Sequence, residues 1–411
     1  QSTRPIDVAG DAGHYLFFVE WRPDGQALAL LRIKRDLSVY ELFQADAETG
    51  RAALLWREEA PDRIVRWPGP PATFTWLPSG EGFLWRSDAD GFARLYLHDA
   101  KGRRVRAVTP AGSDADDIVA IDDKRRRLYF MAGSDPARPF DRQLHVVPLS
   151  GGPSRRLTPE TGQHAVVFSA SRAYFIDEHH DAGRPPARVL RRTVDGAVLT
   201  TLDEARAADR TRPPLEEFTA LTADGVTRAH GVILKPRDFD PNLRYPVIER
   251  IYGAMQSTAA PRGWFGAGDS RDYTAMLQVL ADAGFIVVVS DTPGTPGRGR
   301  DYGLRLHGVW PRGLIADHAA VLRAIAAERP WMDLDRVGIE GNSWGGYSAL
   351  LAGVEAPDLY RAVSASVPQT DLVDHAHWIE FMLGEMSANL EAYASGSLGP
   401  RVASSEAELL L

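Results

Sequence analysis

The stretch best suited to chemistry is Gly341-x-Ser343-x-Gly345. An apolar run over residues 337–339 predicts a buried strand before it, and residues 347–352 predict a helix after it. This spacing fits a sharp strand-to-helix turn, which holds a serine hydroxyl clear of the backbone as a nucleophile. Glycine is needed on both sides because a side chain there would collide with the neighbouring strand or helix. The alternative is an ordinary loop, since the motif by itself is weak.

A second place for chemistry is the segment Asp177-Glu178-His179-His180-Asp181, because carboxylates and imidazoles bind metal ions. Adjacent side chains of a strand point to opposite faces, so the two histidines would not share one ion there. We therefore expect a solvated, charged turn between two strands. No metal and no other cofactor is expected.

Composition narrows the classes of function. The chain has 411 residues, of which 44% are hydrophobic and 25% charged, as is ordinary for a globular protein of two domains. Its net charge of −8 offers no basic surface, so we expect no nucleic-acid partner. Cysteine is absent, which excludes disulfides and thiolate metal sites. No apolar run approaches the roughly 18 residues that a membrane-spanning helix needs.

Both ends of the sequence suggest a fragment of a longer protein. The first residue is Gln1 rather than Met, no signal-peptide pattern follows it, and the last residues resemble the start of an apolar strand. The localisation is therefore unknown.

The first half is predicted to be a run of short strands with an internal repeat. The pattern Trp-x-Pro-x-Gly begins at Trp21 and again at Trp76, and fainter copies begin at Ile121 and Phe168. After each start come an apolar strand and then a further strand that leads to an Asp- or Gly-rich turn. Repeats in the mid-forties with about four strands each are typical of β-propeller blades. We predict about four blades in residues 1–208, with earlier blades missing; the alternative is an all-β sandwich.

The second half has a different pattern. Residues 204–214 are polar and end in Pro213-Pro214, so we place a domain boundary there and a second domain at residues 209–411. An antiparallel pair comes first, followed by alternating apolar strands (245–252, 285–290, 335–339) and helices (273–284, 315–329). This order predicts a mostly parallel sheet covered on both faces. Ser343 would lie at the carboxyl end of a strand, where ligands bind in open α/β sheets.

The motifs of both halves occur in the same order in one family. They are Tyr15-Leu16-Phe17-Phe18-Val19-Glu20-Trp21, Trp85-x-Ser87-x-x-x-Gly91-x-x-x-Leu95-Tyr96, Lys235-Pro236-x-x-Phe239, Tyr245-Pro246, Tyr252-Gly253, Asp291 with Gly294-Thr295-x-Gly297-Arg298-Gly299, and Gly341-x-Ser343-x-Gly345-Gly346-Tyr347. On these residues the chain resembles the prolyl oligopeptidase superfamily of serine peptidases, and most of all its dipeptidyl-peptidase IV branch. The resemblance implies an eight-bladed propeller over an α/β-hydrolase domain, here truncated at its C-terminus, with peptides cleaved in the cavity between them.

The resemblance also implies roles for individual residues. Ser343 would be the nucleophile, and the backbone N–H of Trp344 would be one donor to the oxyanion, as is the residue after the nucleophile in this fold. The hydroxyl of Tyr252 would be the second donor, unless this tyrosine only packs beneath the propeller. Leu372 and Trp378, together with Trp344, are the candidate walls of the pocket for the residue before the scissile bond.

Two departures from the family pattern and two gaps in it affect this interpretation. Ala254-Met255 stands where relatives have Gly-Pro, and the pocket segment has fewer aromatic residues, which puts a preference for proline in doubt. The family glutamates that bind a free peptide N-terminus would precede Gln1. The Asp and His of the triad are expected beyond Leu411. We also weighed the local histidines His318, His375 and His377 as the base and consider them unsuited.

We therefore predict a serine peptidase acting on short peptides by release of N-terminal dipeptides through an acyl-enzyme. The alternatives are an esterase or amide hydrolase on the same scaffold, and a catalytically inactive protein that uses the propeller for binding. The resemblance makes a peptide the expected partner and a homodimer a further expectation. It also implies the periplasm or the cytoplasm as the alternatives for the localisation.

Overall fold

The computed structural model describes residues 3–8, 13–59, 73–133, 135, 137–204, 213–253, 257–264, 271–402 and 407–410. Its first half contains four separate antiparallel sheets of four strands, and in each sheet the strands follow one another in chain order. The strands are β1 (His14–Trp21), β2 (Ala27–Lys34), β3 (Val39–Asp46), β4 (Ala52–Glu59), β5 (Phe74–Trp76), β6 (Gly82–Ser87), β7 (Arg94–Asp99), β8 (Arg104–Ala107), β9 (Ala115–Asp122), β10 (Arg127–Ala132), β11 (Gln143–Pro148), β12 (Arg155–Arg156), β13 (Gln163–Phe168), β14 (Tyr174–His180), β15 (Ala187–Arg192) and β16 (Val198–Glu204). These four sheets are the predicted blades, and we number them one to four.

The sequence repeat marks the same place in every blade. Trp21, Trp76 and Phe168 are the last residues of β1, β5 and β13, and Ile121 is the last but one residue of β9. Each copy therefore lies at the turn that joins the first two strands of its blade. A sandwich would place strands of all repeats in two facing sheets, so the separate sheets rule out that alternative.

The blades pack face to face. In β10, Leu128 and Phe130 belong to a core shared with blade two, whereas Tyr129 and Met131 belong to a core shared with blade four. Alternate side chains of one strand point to opposite faces, so a single strand supplies apolar surface to both neighbours. This explains why β10 is a nearly continuous apolar run.

One interpretation of this half was wrong. The segment from Asp177 to His180 is not a solvated turn but part of β14, and Asp177 is fully buried. Its carboxylate accepts hydrogen bonds from His164 Nδ1 and Arg191 Nε, both at 2.8 Å. The negative charge of Asp177 is thus compensated inside blade four by basic side chains from the neighbouring strands β13 and β15. Within the described residues no group of three or more side chains is arranged to bind a metal ion.

The second half is a seven-stranded sheet with helices on both faces. Its elements are β17 (Glu216–Leu221), β18 (Arg228–Leu234), β19 (Tyr245–Arg250), α1 (Arg271–Asp282), β20 (Ile286–Asp291), α2 (Arg300–Gly303), α3 (Leu314–Ala327), β21 (Met332–Asn342), α4 (Trp344–Glu355), β22 (Tyr360–Ser366), α5 (Ala376–Leu383), α6 (Leu390–Gly396), α7 (Gly399–Val402) and β23 (Glu408–Leu410). The strand order is β17-β18-β20-β19-β21-β22-β23. Neighbouring strands from β20 through β19, β21 and β22 to β23 are parallel. β17 and β18 form an antiparallel pair, as predicted, and β18 joins the sheet by pairing antiparallel with β20.

The core of this sheet has two sides. Val287 and Val289 of β20 pack with α1 on one face, and Ile286 and Val288 belong to the core formed with α3 and α4 on the other. Because β20 is apolar on both faces, it reads in sequence as an unbroken apolar run. The predicted boundary near residue 208 lies outside the described residues and stays a prediction. In the described part of the chain, no helix is long and apolar enough to cross a membrane.

Candidate active site

Ser343 is the residue between the end of β21 and the start of α4, and its backbone is strained. It has φ 58° and ψ −118°, although a positive φ is uncommon for a residue with a side chain. Its N–H donates to the carbonyl of Ser366 at 2.9 Å, and its own carbonyl accepts from the N–H of Tyr347 at 3.0 Å. Hydrogen bonds on both sides thus hold a conformation that costs about 1–3 kcal/mol, as is common at functional turns.

The glycines around Ser343 are required by close backbone contacts. A Cβ on Gly341 would overlap the carbonyl of Gly345 and lie 2.8 Å from its Cα. A Cβ on Gly345 would overlap the carbonyl oxygen of Ile251 and lie 3.2 Å from Cα of Tyr252. A Cβ on Gly346 would lie 2.7 Å from the carbonyl oxygen of Ser366. The collisions expected from the sequence are therefore present, and they involve strands on both sides of β21.

Tyr252 lies two residues beyond the end of β19, beside the first turn of α4. Its carbonyl accepts a hydrogen bond from Ser348 Oγ at 3.4 Å, in addition to the close approach of Gly345 to its Cα. The backbone of Tyr252 is therefore adjacent to the turn that contains Ser343 and Trp344. Its role as an oxyanion donor stays a prediction. Ala254 and Met255, where the sequence departs from the family, lie outside the described residues.

Trp310 connects the two parts of this turn, and the sequence analysis did not identify it. Its Nε1 donates to the carbonyl of Gly253 at 3.1 Å. Its ring stacks on Tyr347 with a centroid distance of 4.8 Å and contacts Trp344 edge to face at 5.5 Å. One fully buried side chain thus touches the residue after Tyr252 and two residues of α4. The only sequence signal was a bulky Trp-Pro pair in a glycine-containing loop.

A buried polar network lies beneath the site. Glu249 of β19 is fully buried and binds His318 Nδ1 at 2.7 Å and the hydroxyl of Tyr360 at 2.6 Å. Nε2 of His318 lies 3.3 Å from Oγ1 of Thr292. Burial, followed by the charge of Glu249, raises the pKa of Tyr360 well above its ordinary value. The network links the strand that leads to Tyr252 with β22, whose last residue binds Ser343.

Two of the three histidines considered as the base have other partners. His318 is enclosed in the network with Glu249, and Nδ1 of His375 lies 2.8 Å from the carbonyl of Asp371. That none of the three acts as the base stays a prediction.

The two predicted pocket residues have different surroundings. Leu372 is fully buried, and a Cβ on Gly396 of α6 would overlap its Cδ1. Trp378, on α5, exposes 56% of its surface. Leu372 therefore supports the segment from inside, whereas the indole of Trp378 is available for contact. Their roles in a pocket stay predictions.

Two parts of this chain match known protein families. Residues 1–186 match the family described as "Dipeptidyl peptidase IV (DPP IV) N-terminal region", and residues 271–400 match the "Prolyl oligopeptidase family". The two matches fall on the blades and on the α/β sheet with its serine turn. The chain belongs to the prolyl oligopeptidase family, in its dipeptidyl-peptidase IV branch.

Individual members of the prolyl oligopeptidase family extend the match. The chain is 28% identical to dipeptidyl peptidase 8 of Homo sapiens over 461 residues, covering 96% of this chain and 50% of that protein. It is 26% identical to dipeptidyl-peptidase 5 of Porphyromonas gingivalis, covering 81% of this chain and 47% of that one. The chain thus spans about half the length of the curated relatives it matches.

Solved structures show the same fold. A putative dipeptidyl aminopeptidase IV from Bacteroides ovatus aligns with a TM-score of 0.85 at 22% identity, covering 98% of this chain and 59% of that one. Porphyromonas gingivalis dipeptidyl peptidase 4 aligns with a TM-score of 0.81, also at 22% identity, covering 98% and 56%. The prediction of propeller blades followed by an α/β-hydrolase domain is confirmed.

Proposed function

We propose that this chain forms the nucleophile-bearing part of a serine peptidase that removes dipeptides from the N-termini of short peptides. The observation that carries the proposal is Ser343, held at φ 58° on a turn whose glycines leave no room for side chains. The names of the relatives support the dipeptidyl specificity. In this proposal residues 1–208 form the propeller and residues 209–411 the hydrolase.

The proposed reaction begins with attack of Ser343 Oγ on the carbonyl carbon of the scissile peptide bond. A covalent acyl-enzyme then replaces one difficult step by two easier ones. The negative charge that develops on the carbonyl oxygen needs donors that are already in place. The N–H of Trp344 and the hydroxyl of Tyr252 are the proposed donors, because both residues border the turn of Ser343. Trp310 helps to fix them by binding Gly253 and packing on Trp344.

The proton of Ser343 must pass to a general base. His318 and His375 are bound to Glu249 and to the carbonyl of Asp371, so neither is the base in this proposal, and the family pattern assigns that role to another histidine. The peptide binds between propeller and hydrolase, with Trp378 beside the side chain that precedes the scissile bond. No metal or cofactor takes part in this chemistry, and a homodimer is part of the proposal.

The test uses the full-length protein and a fluorophosphonate, which phosphonylates an activated serine. We expect labelling of the wild type and of Ser169→Ala, which changes an exposed serine in a turn of blade four, but no labelling of Ser343→Ala. Mass mapping of the adduct identifies the labelled residue. A folded wild-type protein that does not react would contradict the proposal and favour a binding protein.

Peptide p-nitroanilides then define the specificity. We expect cleavage of dipeptide derivatives with a free N-terminus and little cleavage when the N-terminus is blocked. Equal cleavage of both would indicate an endopeptidase. Ester hydrolysis without any peptide hydrolysis would indicate the esterase alternative.

A further inference from the structure

Helix α5 is contacted both by the hydrolase half and by blade one of the propeller. Its C-terminal end is fixed by the hydrolase half. Three hydrogen bonds do this: Gly308 N–H to the carbonyl of Met382 at 2.8 Å, Asn389 Nδ2 to the carbonyl of Leu383 at 2.8 Å, and the hydroxyl of Tyr393 to the carbonyl of Gly384 at 2.7 Å.

The rest of α5 is contacted by blade one of the propeller. The hydroxyl of Tyr15 donates to the carbonyl of His377. Arg35, the residue after β2, meets Glu380 side-on, with Nε 2.8 Å from Oε2 and Nη2 3.2 Å from Oε1. Two contacts from one blade thus fall on either side of Trp378, the exposed aromatic residue of the helix.

The contact between Arg35 and Glu380 is an ion pair. Glu380 is only 5% exposed, and a buried carboxylate without a partner is strongly destabilising. Burial raises the pKa of Glu380, Arg35 opposes this, and the charges of Glu385 and Asp36 add to the rise. Arg35 therefore opposes the effects that favour the neutral form of this carboxylate. The hydrogen bond from Nη2 of Arg35 to Oε1 of Glu380 adds a directional contact to this pair of charges.

The position of Trp378 depends on these contacts. Its indole is 56% exposed, so packing around the ring does not determine where it lies. The backbone of α5 does. Around Trp378 this backbone is held by Ala376 and Ile379, which pack into the core, and from blade one by Tyr15 and by Arg35 through Glu380. A change in blade one is therefore transmitted to the indole.

We propose that Arg35 is a positioning residue for substrate selection: through Glu380 it fixes α5 and places Trp378 against the substrate side chain that precedes the scissile bond. This inference rests on the proposed peptidase function. It makes blade one a part of the specificity pocket, although Arg35 itself touches no substrate.

The test compares Arg35→Met and Glu380→Gln with the wild-type full-length protein. For dipeptide p-nitroanilides with Ala, Pro, Leu or Phe before the scissile bond, we expect the ratio of kcat/KM between large and small residues to change about tenfold, or roughly 1.4 kcal/mol. The rate of fluorophosphonate labelling should stay within about twofold, because Ser343 is not affected. The double variant Arg35→Glu with Glu380→Arg should regain much of the original ratio.

A control and a second measurement separate this role from simple stabilisation. Arg323→Met removes an exposed ion pair with Asp358 on the hydrolase and should leave the ratio unchanged.

Hydrogen exchange of residues 376–383 should become faster in Arg35→Met, and it can be measured without any activity. Unchanged exchange, or faster exchange with an unchanged selectivity ratio, would overturn the inference. If Arg35→Met does not fold, Arg35→Lys, which keeps the charge but loses the planar guanidinium and its hydrogen bond from Nη2, should show the same change in the ratio. Failure of the wild type to react with fluorophosphonate would refute the proposed function instead, and the exchange result would still report on α5.

Discussion

Replacing Gly345 by alanine would alter the geometry between the two proposed oxyanion donors. The added methyl group would overlap the carbonyl oxygen of Ile251 and lie 3.2 Å from Cα of Tyr252. Non-bonded carbon atoms prefer a separation of about 3.5–4.0 Å. Relief of the overlap requires the end of β19 and the start of α4 to separate by the order of 1 Å. Tyr252 follows β19 and the N–H of Trp344 belongs to α4, so the separation acts on both donors.

The expected loss follows from this displacement. A shift of about 1 Å at a catalytic group costs on the order of 100-fold in rate, and loss of one oxyanion donor costs about 100- to 1,000-fold. We expect kcat of Gly345→Ala to fall about 100-fold or more, with KM within a few-fold of the wild type. The melting temperature should also fall, since overpacking costs about 1–3 kcal/mol.

Gly338→Ala is the matched control. Gly338 lies in β21 like Gly341, but a Cβ there would be 3.6 Å from the carbonyl oxygen of Ala362 and 3.9 Å from its Cβ, which is ordinary contact. The assay is kcat and KM on a dipeptide p-nitroanilide, with circular dichroism to verify folding. A folded Gly345→Ala protein with wild-type kcat, or an equal loss in Gly338→Ala, would refute the reasoning.

Two further predictions concern Trp310 and His145. Trp310→Phe keeps an aromatic ring on Tyr347 but removes the hydrogen bond to the Gly253 carbonyl. Loss of a hydrogen bond of about 1–2 kcal/mol should lower kcat about tenfold with little change in KM. The control Trp331→Phe, at the other end of β21, should not lower kcat, and equal effects of the two variants would contradict the role of Trp310. Burial, followed by the charge of Arg156, lowers the pKa of His145 to about 4. In the unfolded chain this histidine takes up a proton below about pH 6.5, whereas in the folded protein it does so only below about pH 4. The free energy of unfolding should therefore fall by up to ~3 kcal/mol as the pH is lowered from about 6.5 to about 4. Urea unfolding of His145→Phe should show a weaker pH dependence than the wild type, and an unchanged dependence would refute this.

The sequence by itself determined the features whose causes are local. The blade repeat could be predicted because each copy spans only about five neighbouring residues, at the end of the first strand and the start of the turn that follows it. The serine turn could be read because its steric requirement falls on Gly341, Ser343 and Gly345, which are close in the chain. The alternating apolar strands and helices gave the order of the second half, with ends displaced by only a few residues.

The prediction of a solvated turn at residues 177–180 was wrong because it used only residues that are neighbours in the sequence. Consecutive charged residues look solvated, but in β14 alternate side chains point to opposite faces. Asp177 faces blade three and is compensated by His164 and Arg191 from the neighbouring strands. A local pattern cannot reveal that compensation, because the partners belong to other strands.

Only the tertiary structure decided which distant residues support the site. The bond of Trp310 to Gly253, the enclosure of His318 by Glu249, and the pair of Arg35 with Glu380 each join residues far apart in the chain. Each of these side chains is equally compatible with an exposed position when read alone. Their contacts depend on how the sheet order brings β19 beside β21 and on how blade one meets α5, and these are properties of the whole folded chain.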